Sequence, residues 1–319
     1  MKQTTFATTG FEKYDKKTRR QRFLDDMERV VPWSALCALI EEHYPKGEGG
    51  RPPIGLERML RIVFLQHWFN LSDPGIEEAL YEMPAMRRFA RIDLGRERVP
   101  DETTVCKFRH LIERCDLGGS IFEAVAQHLA DNGIEVKTGT IVDATIIDAP
   151  SSTKNASGER DPEMHQTKKG GQWYFGMKAH VGVDSKTKVI HTVVATAANV
   201  HDSQVMPQLL HGQETRVWGD SAYMGQGDKI RSAAPRAQDF TNKRATRNHP
   251  LSETERSINR TKSRVRARGE HPFLILKRVF GFSKVRYRGL MKNATRLYVA
   301  CALVNLFIVR RPLLRLQRA

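Results

Sequence analysis

Three acids stand at positions where solvation does not explain a carboxylate. Asp143 lies inside the apolar run IVDAT, and Asp220 ends the run TRVWGD just before the small-residue turn SAYMG. Glu270 is the single acid between Lys262 and Arg296, a stretch that contains eleven Lys or Arg residues. Ionised carboxylates seldom occur in apolar surroundings unless they are paired or bind a cation, so these acids are the candidates for chemistry.

The chemistry follows from what three carboxylates would need if they converged. Their like charges repel, and a hard divalent cation compensates them. Oxygen ligands without cysteine suit Mg²⁺ or Mn²⁺ rather than zinc. Two such ions about 4 Å apart would activate a water or hydroxyl nucleophile at a phosphodiester and stabilise the leaving oxygen. The sequence therefore predicts two Mg²⁺ ions, with Mn²⁺ as a substitute.

The cations around Glu270 fit the same interpretation. On a helix, Arg266 lies one turn before Glu270 and Lys277 lies seven residues after it, so the three share a face. Such a face can hold a metal-binding carboxylate beside phosphate-binding cations. Pro272 must kink this helix or mark a boundary within a residue or two of Glu270.

Each acid also has a structural interpretation. Glu270 could merely soften the repulsion among its cationic neighbours, and Asp143 or Asp220 could cap a helix or close a turn. If Glu270 were structural, Glu255 would be the first replacement to examine as the third acid of the site.

Four other polar residues of this region compete for roles. Asp148, where a loop begins, is a weaker candidate for the site. Asp184 is expected in a turn and Asp202 at a helix N-cap. His201 could bind a ligand, although a structural role is favoured.

Composition points to a polyanionic partner. The 319-residue chain has a formal charge of +16 and 40% apolar residues, enough for a core and for one or two domains. Such a charge usually faces a polyanion, with nucleic acid the first candidate. A membrane surface is disfavoured because no amphipathic helix with a Trp/Leu face and no lipidation motif accompanies the cations. The longest apolar run, Leu297 to Val309, is shorter than the about 20 residues that cross a bilayer, and it predicts a buried helix.

The cellular compartment is indicated by two further features. The N-terminal sequence MKQTTFATTGFEKYDKKTRRQRF lacks the apolar segment of an export signal. The four cysteines show neither metal-type spacing nor a dense disulfide framework. We therefore expect reduced thiols and no zinc site. Both features favour the cytoplasm.

Helical periodicity extends from Phe23 to about Leu129. Within it, VPDETTVCKFRHLIERC predicts an amphipathic helix capped by Asp101. Its outward face would carry three cationic side chains and one histidine: Lys107, Arg109, Arg114 and His110. Lys107 and Arg109 are the candidates for contacts with DNA, and an ordinary solvated face is the alternative.

Near Gly139 the periodicity changes to that of strands. The runs TIVDATIIDA, KAHVGVD, KVIHTVVATAA and TRVWGD predict four strands, and the second and third are expected to form an antiparallel hairpin. Two polar stretches, near residues 150–172 and 226–260, are expected to be surface loops. The chain would thus divide into a helical part, 1–137, and an α/β part, 138–319.

Taken together, these segments resemble the DDE transposases of bacterial insertion sequences, and within them the insertion-sequence-five, InsH-like group. The resemblance covers nearly the whole chain, and its segments occur in the family's order: VVPWSALCALIEEHYPKGEGGRPP, SDPGIEEALYEMPAMRRFA, PDETTVCKFRHLIE, IVDATIIDAPSSTKN, WYFGMKAHVGVD, ANVHDS, VWGDSAYMG and VRARGEHPFLILKRVFGFSKVRYRGL.

The resemblance implies an α/β fold in which a ribonuclease-H-like catalytic domain, a mixed sheet flanked by helices, follows a mainly helical DNA-binding domain. Asp143, Asp220 and Glu270 would be the catalytic and metal-binding acids. Lys178, in the family-like setting FGMKAH, would point toward the substrate, with a solvent-facing strand lysine as the alternative.

The family's Y-x2-R-x3-E-x6-K signature maps onto Arg266, Glu270 and Lys277, which makes Arg266 and Lys277 candidates for DNA binding. The tyrosine of that signature is replaced by Ser263 here. This departure puts in doubt only the supporting role of the tyrosine.

The implied activity is metal-dependent DNA cleavage at insertion-sequence ends, followed by transfer of the 3′ hydroxyls into target DNA. The expected partners are double-stranded DNA, as terminal inverted repeats and target, and further copies of the chain assembled on it. The expected location is the nucleoid of a bacterial cytoplasm. A catalytically silent DNA-binding repressor and a nuclease that hydrolyses without joining are the alternatives, and the intact set of acids argues against the repressor.

Overall fold

The computed structural model describes residues 16–47, 52–156, 158–246 and 250–317. Residues 1–15, in which no export signal is predicted, lie outside the described part, as do residues 48–51 and 318–319. Residues 157 and 247–249, within the two polar stretches, also lie outside it.

In the described part, seven helices precede the first strand. They are α1 Arg19–Val30, α2 Trp33–Glu41, α3 Leu56–Phe69, α4 Asp73–Glu82, α5 Pro84–Phe89, α6 Glu102–Arg114 and α7 Leu117–Asp131. The predicted cap of α6 is confirmed, because the Asp101 side chain accepts a hydrogen bond from the backbone N–H of Thr104 at 2.7 Å.

A mixed sheet follows. Its strands are β1 Gly139–Asp148, β2 His165–Lys169, β3 Gln172–Asp184, β4 Ile190–Ala197, β5 Arg216–Trp218 and β6 Gln238–Asp239. The central β1 pairs antiparallel with β3 and parallel with β5. β3 also pairs antiparallel with β2 and β4, and β5 pairs parallel with β6. The predicted β3–β4 hairpin is confirmed, and among these strands only β3 runs against β1.

Helical segments connect and cover the strands. The α-helices are α8 Asp202–Val205, α9 Gly227–Ala233, α10 Glu253–Arg266, α11 Glu270–Leu274 and α12 Leu290–Leu316. Short 3₁₀ turns occupy Met206–Leu209, Ser221–Tyr223 and Ala267–Gly269, and one π-helical turn occupies Ile275–Val279.

Helix α12 is the central helix of the core. It packs against α1, α7 and β4, and the Asn305 side chain both donates to the carbonyl and accepts from the N–H of Ile190. By length and composition alone this helix could span a bilayer, but most of it is buried inside the fold. The buried helix predicted at Leu297 to Val309 is therefore confirmed.

Alternation along β1 separates two apolar clusters. Ile141 and Ile147 join the large core, which runs from Leu24 in α1 to Leu313 in α12. Val142 joins a smaller cluster on the other face of the sheet. The helix-to-strand change falls between residues 131 and 139, close to the predicted division at 137/138. Because one core crosses that point, the division into two domains stays a prediction.

The two polar stretches are not simply surface loops, contrary to the sequence-based expectation. Strand β2 lies within the first, and α9, β6 and the start of α10 lie within the second. The pattern failed because these elements bury little: the residues of β2 are mostly exposed and α10 buries none of its described residues. An element without an apolar face leaves no periodicity to detect.

Candidate active site

Asp143 lies in the middle of β1, opposite Val181 of β3. Its side chain is 15% exposed, and Oδ1 accepts a hydrogen bond from the backbone N–H of Ala144 at 2.9 Å. Burial raises the pKa of this carboxyl to about 6, and the nearby charge of Asp220 acts in the same direction. Asp143 is thus a desolvated carboxylate that lacks full compensation by cations.

Asp220 lies beside Asp143 because of the strand register. Ile141 of β1 pairs with Trp218 of the parallel β5, and each acid follows its paired residue by two positions. The Asp220 side chain also caps the Ser221–Tyr223 turn by accepting from the N–H of Ala222 at 2.8 Å. The turn-closing interpretation of Asp220 is therefore correct, and it is compatible with a place in the site.

Glu270 begins α11, directly after the 3₁₀ turn Ala267–Gly269. The helix boundary expected near Pro272 is confirmed at this point. Gly269 allows the close approach to β1, since a Cβ there would lie 2.7 Å from Cγ2 of Ile141. The Glu270 side chain remains 57% exposed. Glu270 therefore faces solvent, whereas Asp143 is mostly buried in the central strand.

Arg266 joins two of the acids. Its Nη2 donates to Oε1 of Glu270 at 2.8 Å, and its Nη1 lies 3.7 Å from Oδ2 of Asp143. The predicted shared face of Arg266 and Glu270 is confirmed. The structure therefore links the three predicted acids around the middle of β1: Asp220 lies beside Asp143, and one guanidinium joins Asp143 to Glu270. Among the described residues the ligand atoms of these acids do not all lie within 4.8 Å of one another.

This donor set fits a hard divalent cation. The available ligands are carboxylate oxygens from three separate elements, which is the type preferred by Mg²⁺ and Mn²⁺. The raised pKa of Asp143 shows that burial outweighs the cationic compensation that Arg266 and Lys169 provide. A metal ion at this position would supply the missing positive charge.

Lys277 lies in the π-helical turn and donates from Nζ to the carbonyl of Ile146 in β1. Burial lowers the pKa of Lys277, the charge of Asp148 opposes this shift, and the charge of Lys169 adds to it. Lys277 and Asp148 thus lie together at the carboxyl end of β1, and a DNA contact by Lys277 stays a prediction.

Sequence reasoning missed the β2–β3 hairpin. Gly176 of β3 pairs with both His165 of β2 and Asp148 of β1, so the hairpin begins where β1 ends. Only glycine fits there, because a Cβ on Gly176 would lie 2.1 Å from the carbonyl oxygen of Ile147. The hairpin is therefore fixed to the strand that carries Asp143.

The tip of this hairpin is basic and aromatic. Lys168 and Lys169 are exposed, Trp173 is 64% exposed, and Nζ of Lys168 lies 5.8 Å from the Trp173 ring centroid. The charge of Lys169 acts on Asp143 and on Lys277, which places the tip beside the acids. The run KKGGQWY, with two lysines and an aromatic pair around a glycine turn, was the signal that could have revealed it.

Lys178 is engaged inside the fold. Its Nζ donates to the carbonyl of Val200 at 2.7 Å and to Oδ1 of Asp202 at 2.9 Å, and its side chain is 12% exposed. It pairs with Ile146 across β1 and β3, on the sheet face opposite Asp143. The solvent-facing alternative is wrong. A substrate contact stays a prediction that the pairing with Asp202 disfavours.

The expectations for His201 and Asp184 are confirmed, whereas that for Asp202 is wrong. His201 has the structural role that was favoured, since its side chain caps α8 by accepting from the N–H of Ser203. The N-cap expected at Asp202 is wrong, because Asp202 is the first residue of α8 and binds Lys178 instead. Asp184 is the expected turn residue: its Oδ1 accepts from the N–H groups of Lys186 and Thr187.

The outward face of α6 is only partly as expected. Lys107 is exposed, as are His110 and Arg114. Arg109 is not, because it pairs with Asp73 at 3.0 Å and Glu113 at 2.8 Å. Its guanidinium also lies 4.1 Å from the Tyr287 ring centroid. Helical spacing could not show that the segment before α12 covers this side of α6. The DNA contact predicted for Arg109 therefore lacks an outward side chain, whereas that of Lys107 stays a prediction.

Two further residues of α10 are accounted for. Glu255, the alternative third acid, belongs to the capping box with Ser252 and pairs with Lys243, so it is not part of the site. Ser263 accepts from the Asn242 side chain at 3.0 Å, and the Asn242 N–H donates to the carbonyl of Gly219. Ser263 therefore helps to dock α10 beside Asp220.

Two families of known proteins match parts of this chain. The family described as Transposase DDE domain matches residues 135–306, more than half of the chain, and a family described as Transposase domain matches residues 12–111. Among solved structures, the chain is similar to a piggyBac transposase in a synaptic complex with hairpin DNA. That match has 10% identity and a TM-score of 0.48, and it covers 95% of this chain and 77% of the other. Likeness at this level supports no residue-by-residue correspondence.

Proposed function

The chain belongs to the family of the Transposase DDE domain, and from that premise we propose that it cuts DNA at insertion-sequence ends and joins the new 3′ hydroxyls to target DNA. We assign it to the insertion-sequence-five, InsH-like group on the ordered segments of its sequence. The observation that carries the proposal is the linkage of Asp143, Asp220 and Glu270 around the middle of β1, by strand register and through Arg266.

Families of this kind use divalent metal ions. Asp143, Asp220 and Glu270 would hold two Mg²⁺ ions, which when bound supply activation of the attacking oxygen and stabilisation of the leaving oxygen at the scissile phosphate, with Mn²⁺ as a substitute. The chain itself provides the placement: β1 and β5 fix the two aspartates in register, and Gly269 brings Glu270 against β1.

Arg266 has a separate task in this proposal. In the absence of metal it offsets the repulsion between Asp143 and Glu270, which keeps the site assembled. The same guanidinium would also be placed to bind a phosphate oxygen of the substrate. Lys277, anchored on Ile146, holds the end of β1 beside the same site.

The surface around the acids supports DNA as the substrate. Helix α10 presents exposed Arg256, Arg260 and Arg264 at four-residue spacing, a stripe that leads along one face toward Glu270. The β2–β3 hairpin adds exposed lysines and the exposed Trp173, and the charge of Lys169 acts on Asp143. Cations bind the phosphates irrespective of sequence, and an exposed aromatic ring can stack on an unpaired base.

The rest of the architecture is consistent with the expected domains. A mixed sheet in which only β3 opposes β1, with helices packed on it, supports a ribonuclease-H-like catalytic domain. The helices before β1 would form the DNA-binding domain, with Lys107 among its contacts. We place the protein on nucleoid DNA in a bacterial cytoplasm, assembled as a homo-oligomer on the terminal inverted repeats.

The proposal is tested by incubating the purified protein with Mg²⁺, labelled DNA that carries the inverted repeats flanking its coding sequence, and a plasmid target. Nicks that leave 3′ hydroxyls at the repeat ends, followed by joined products, are expected. Cleavage without joining would make the protein a nuclease. Specific binding without any cleavage in Mg²⁺ or Mn²⁺ would make it a repressor.

A further inference from the structure

A second cluster of ligand-type side chains lies away from the three acids. His191 is the second residue of β4, and His211 and Glu214 lie in the segment that leads into β5. One ligand atom from each lies within 4.8 Å of the others, and in the part of the chain that the structure describes this is the one group of three with that property. We propose that this cluster binds a single transition-metal dication, with Zn²⁺ the best match to two imidazoles and one carboxylate.

The cluster is distinct from the DDE site. Thr140 of β1 donates to Glu214 and contacts His191, and it lies three residues before Asp143 on the opposite face of the strand. None of the three ligand candidates contacts Asp143, Asp220 or Glu270 through a described ion pair or hydrogen bond. The cysteine spacing gave no reason to expect zinc. The site proposed here uses two histidines and one glutamate instead of cysteines.

Glu214 is the strongest element of the cluster. Its side chain is fully buried and accepts hydrogen bonds from the N–H groups of His211 at 2.7 Å and Gly212 at 2.8 Å, and from the Thr140 hydroxyl at 3.1 Å. All three donors are neutral. Among the described residues its ion-pair partner is His211, with Nε2 3.4 Å from Oε1. Among the described residues Glu214 has no lysine or arginine partner, so a bound cation would add a counter-charge that its three neutral donors do not supply.

His191 supplies an imidazole whose two nitrogens both contact hydroxyl groups, so coordination through either nitrogen must displace one of these contacts. Its Nδ1 lies 2.9 Å from the Thr192 hydroxyl and its Nε2 lies 3.1 Å from the Thr140 hydroxyl. Burial lowers the pKa of His191 to about 3, so the ring keeps the unprotonated form that binds metals. Gly182 leaves room for the ring, because a Cβ there would lie 2.6 Å from Cε1 of His191.

His211 completes the set from the solvent side. Its ring centroid lies 5.0 Å from that of His191, with the planes at 81°. Its Nδ1 accepts from the N–H of Gln213 at 3.2 Å, which leaves Nε2 facing Glu214. Coordination through Nε2 moves the ring proton to Nδ1, so the contact with Gln213 must open. The His211 side chain, which is 24% exposed, would have to rotate to do this, and a water would fill the fourth position of a tetrahedral site.

A metal ion here would link β4 to the segment before β5. Since β5 leads directly to Asp220, the ion would stabilise one support of the DDE site without taking part in the reaction. This inference does not depend on the proposed DNA chemistry, because it concerns metal binding to the full chain alone.

The test is calorimetric titration of the chelator-treated full-length protein with Zn²⁺, in the presence of excess Mg²⁺ to saturate the acid site. One equivalent should bind and should raise the melting temperature. His211→Ala, which removes a partly exposed side chain, should weaken the binding at least tenfold, and His191→Ala should do the same if it folds. Asp143→Asn and His110→Ala should bind as the unaltered chain does.

His110 is the matched control because Cys106 lies beside it and offers another place for zinc. Absence of stoichiometric Zn²⁺ binding would overturn the proposal. So would binding that survives in His211→Ala, or binding that is lost in Asp143→Asn or His110→Ala instead.

Discussion

Nη1 of Arg266 lies 3.7 Å from Oδ2 of Asp143, and the same guanidinium donates to Glu270. A cation of the chain thus lies between two acids that come from a strand and a helix far apart in sequence. This contact explains how the site can stay assembled before a metal binds. It also makes the site's stability depend on what supplies the positive charge.

Arg266→Ala should therefore destabilise the metal-free protein. Losing charge-assisted contacts to a buried and an exposed carboxylate should cost about 1–2 kcal/mol of unfolding free energy. Added Mg²⁺ should restore more stability to this variant than to the unaltered protein, as measured by urea denaturation. Arg264→Ala, an exposed neighbour on α10, is the control. Equal stability of both variants without metal would show that Arg266 does not compensate the acids.

Asp143 should give the metal-free protein a pH-dependent stability. Burial raises the pKa of this carboxyl from 3.8 to about 6. Between about pH 4 and pH 6 the folded protein retains a proton that the unfolded chain has released, so unfolding free energy falls as pH rises. The loss should be on the order of 2–3 kcal/mol. Denaturation of the unaltered protein and Asp143→Asn across this range measures it, and a constant difference between them would contradict the raised pKa.

Lys178→Ala should reduce stability rather than DNA affinity. The change leaves Asp202 without its cation in a mostly buried position, at a cost of about 2–4 kcal/mol. The double variant Lys178→Ala/Asp202→Ala should lose less than the sum of the single changes. Normal stability together with weakened DNA binding would instead support the substrate-facing role predicted from the sequence.

Helix α6 offers a matched pair of substitutions. Lys107→Ala should weaken DNA binding and reduce the slope of log affinity against log salt by about 0.9, as expected for one lost phosphate contact. Arg109→Ala should mainly reduce stability, because Asp73 and the buried Glu113 lose their shared partner. Equilibrium binding at several salt concentrations and urea denaturation separate the two effects. An unchanged salt slope for Lys107→Ala would remove α6 from the DNA interface.

Sequence patterns were most informative where one physical cause dominated. Asp143 was conspicuous because its run is otherwise apolar, and the Arg266–Glu270 contact followed from helical spacing alone. The alternation along β1 and the burial of α12 also followed from periodicity. Each of these features depends on local geometry or on a simple separation of apolar from polar faces.

The features that were missed depend on tertiary neighbours. Arg109 has the spacing of a surface residue, and only the fold brings Asp73 and Tyr287 onto it. Lys178 similarly meets Asp202 through a connection between strands. Strand β2 pairs with β3 at the surface and buries almost nothing, so its sequence has no apolar face to detect. In each case the deciding partner lies far along the chain, where local pattern carries no information.

The central claim is that Glu270 completes a metal-dependent DNA-cleaving site with Asp143 and Asp220. The most direct measurement compares cleavage of labelled inverted-repeat DNA by Glu270→Gln and Glu255→Gln in Mg²⁺ and in Mn²⁺, with DNA affinity measured alongside. Gln keeps the capping box of α10, so Glu255→Gln should cleave normally. Glu270→Gln should fall to the level seen without protein while binding DNA as tightly or more tightly, because it loses a negative charge near the phosphates. Near-normal cleavage by Glu270→Gln in either metal would contradict the account.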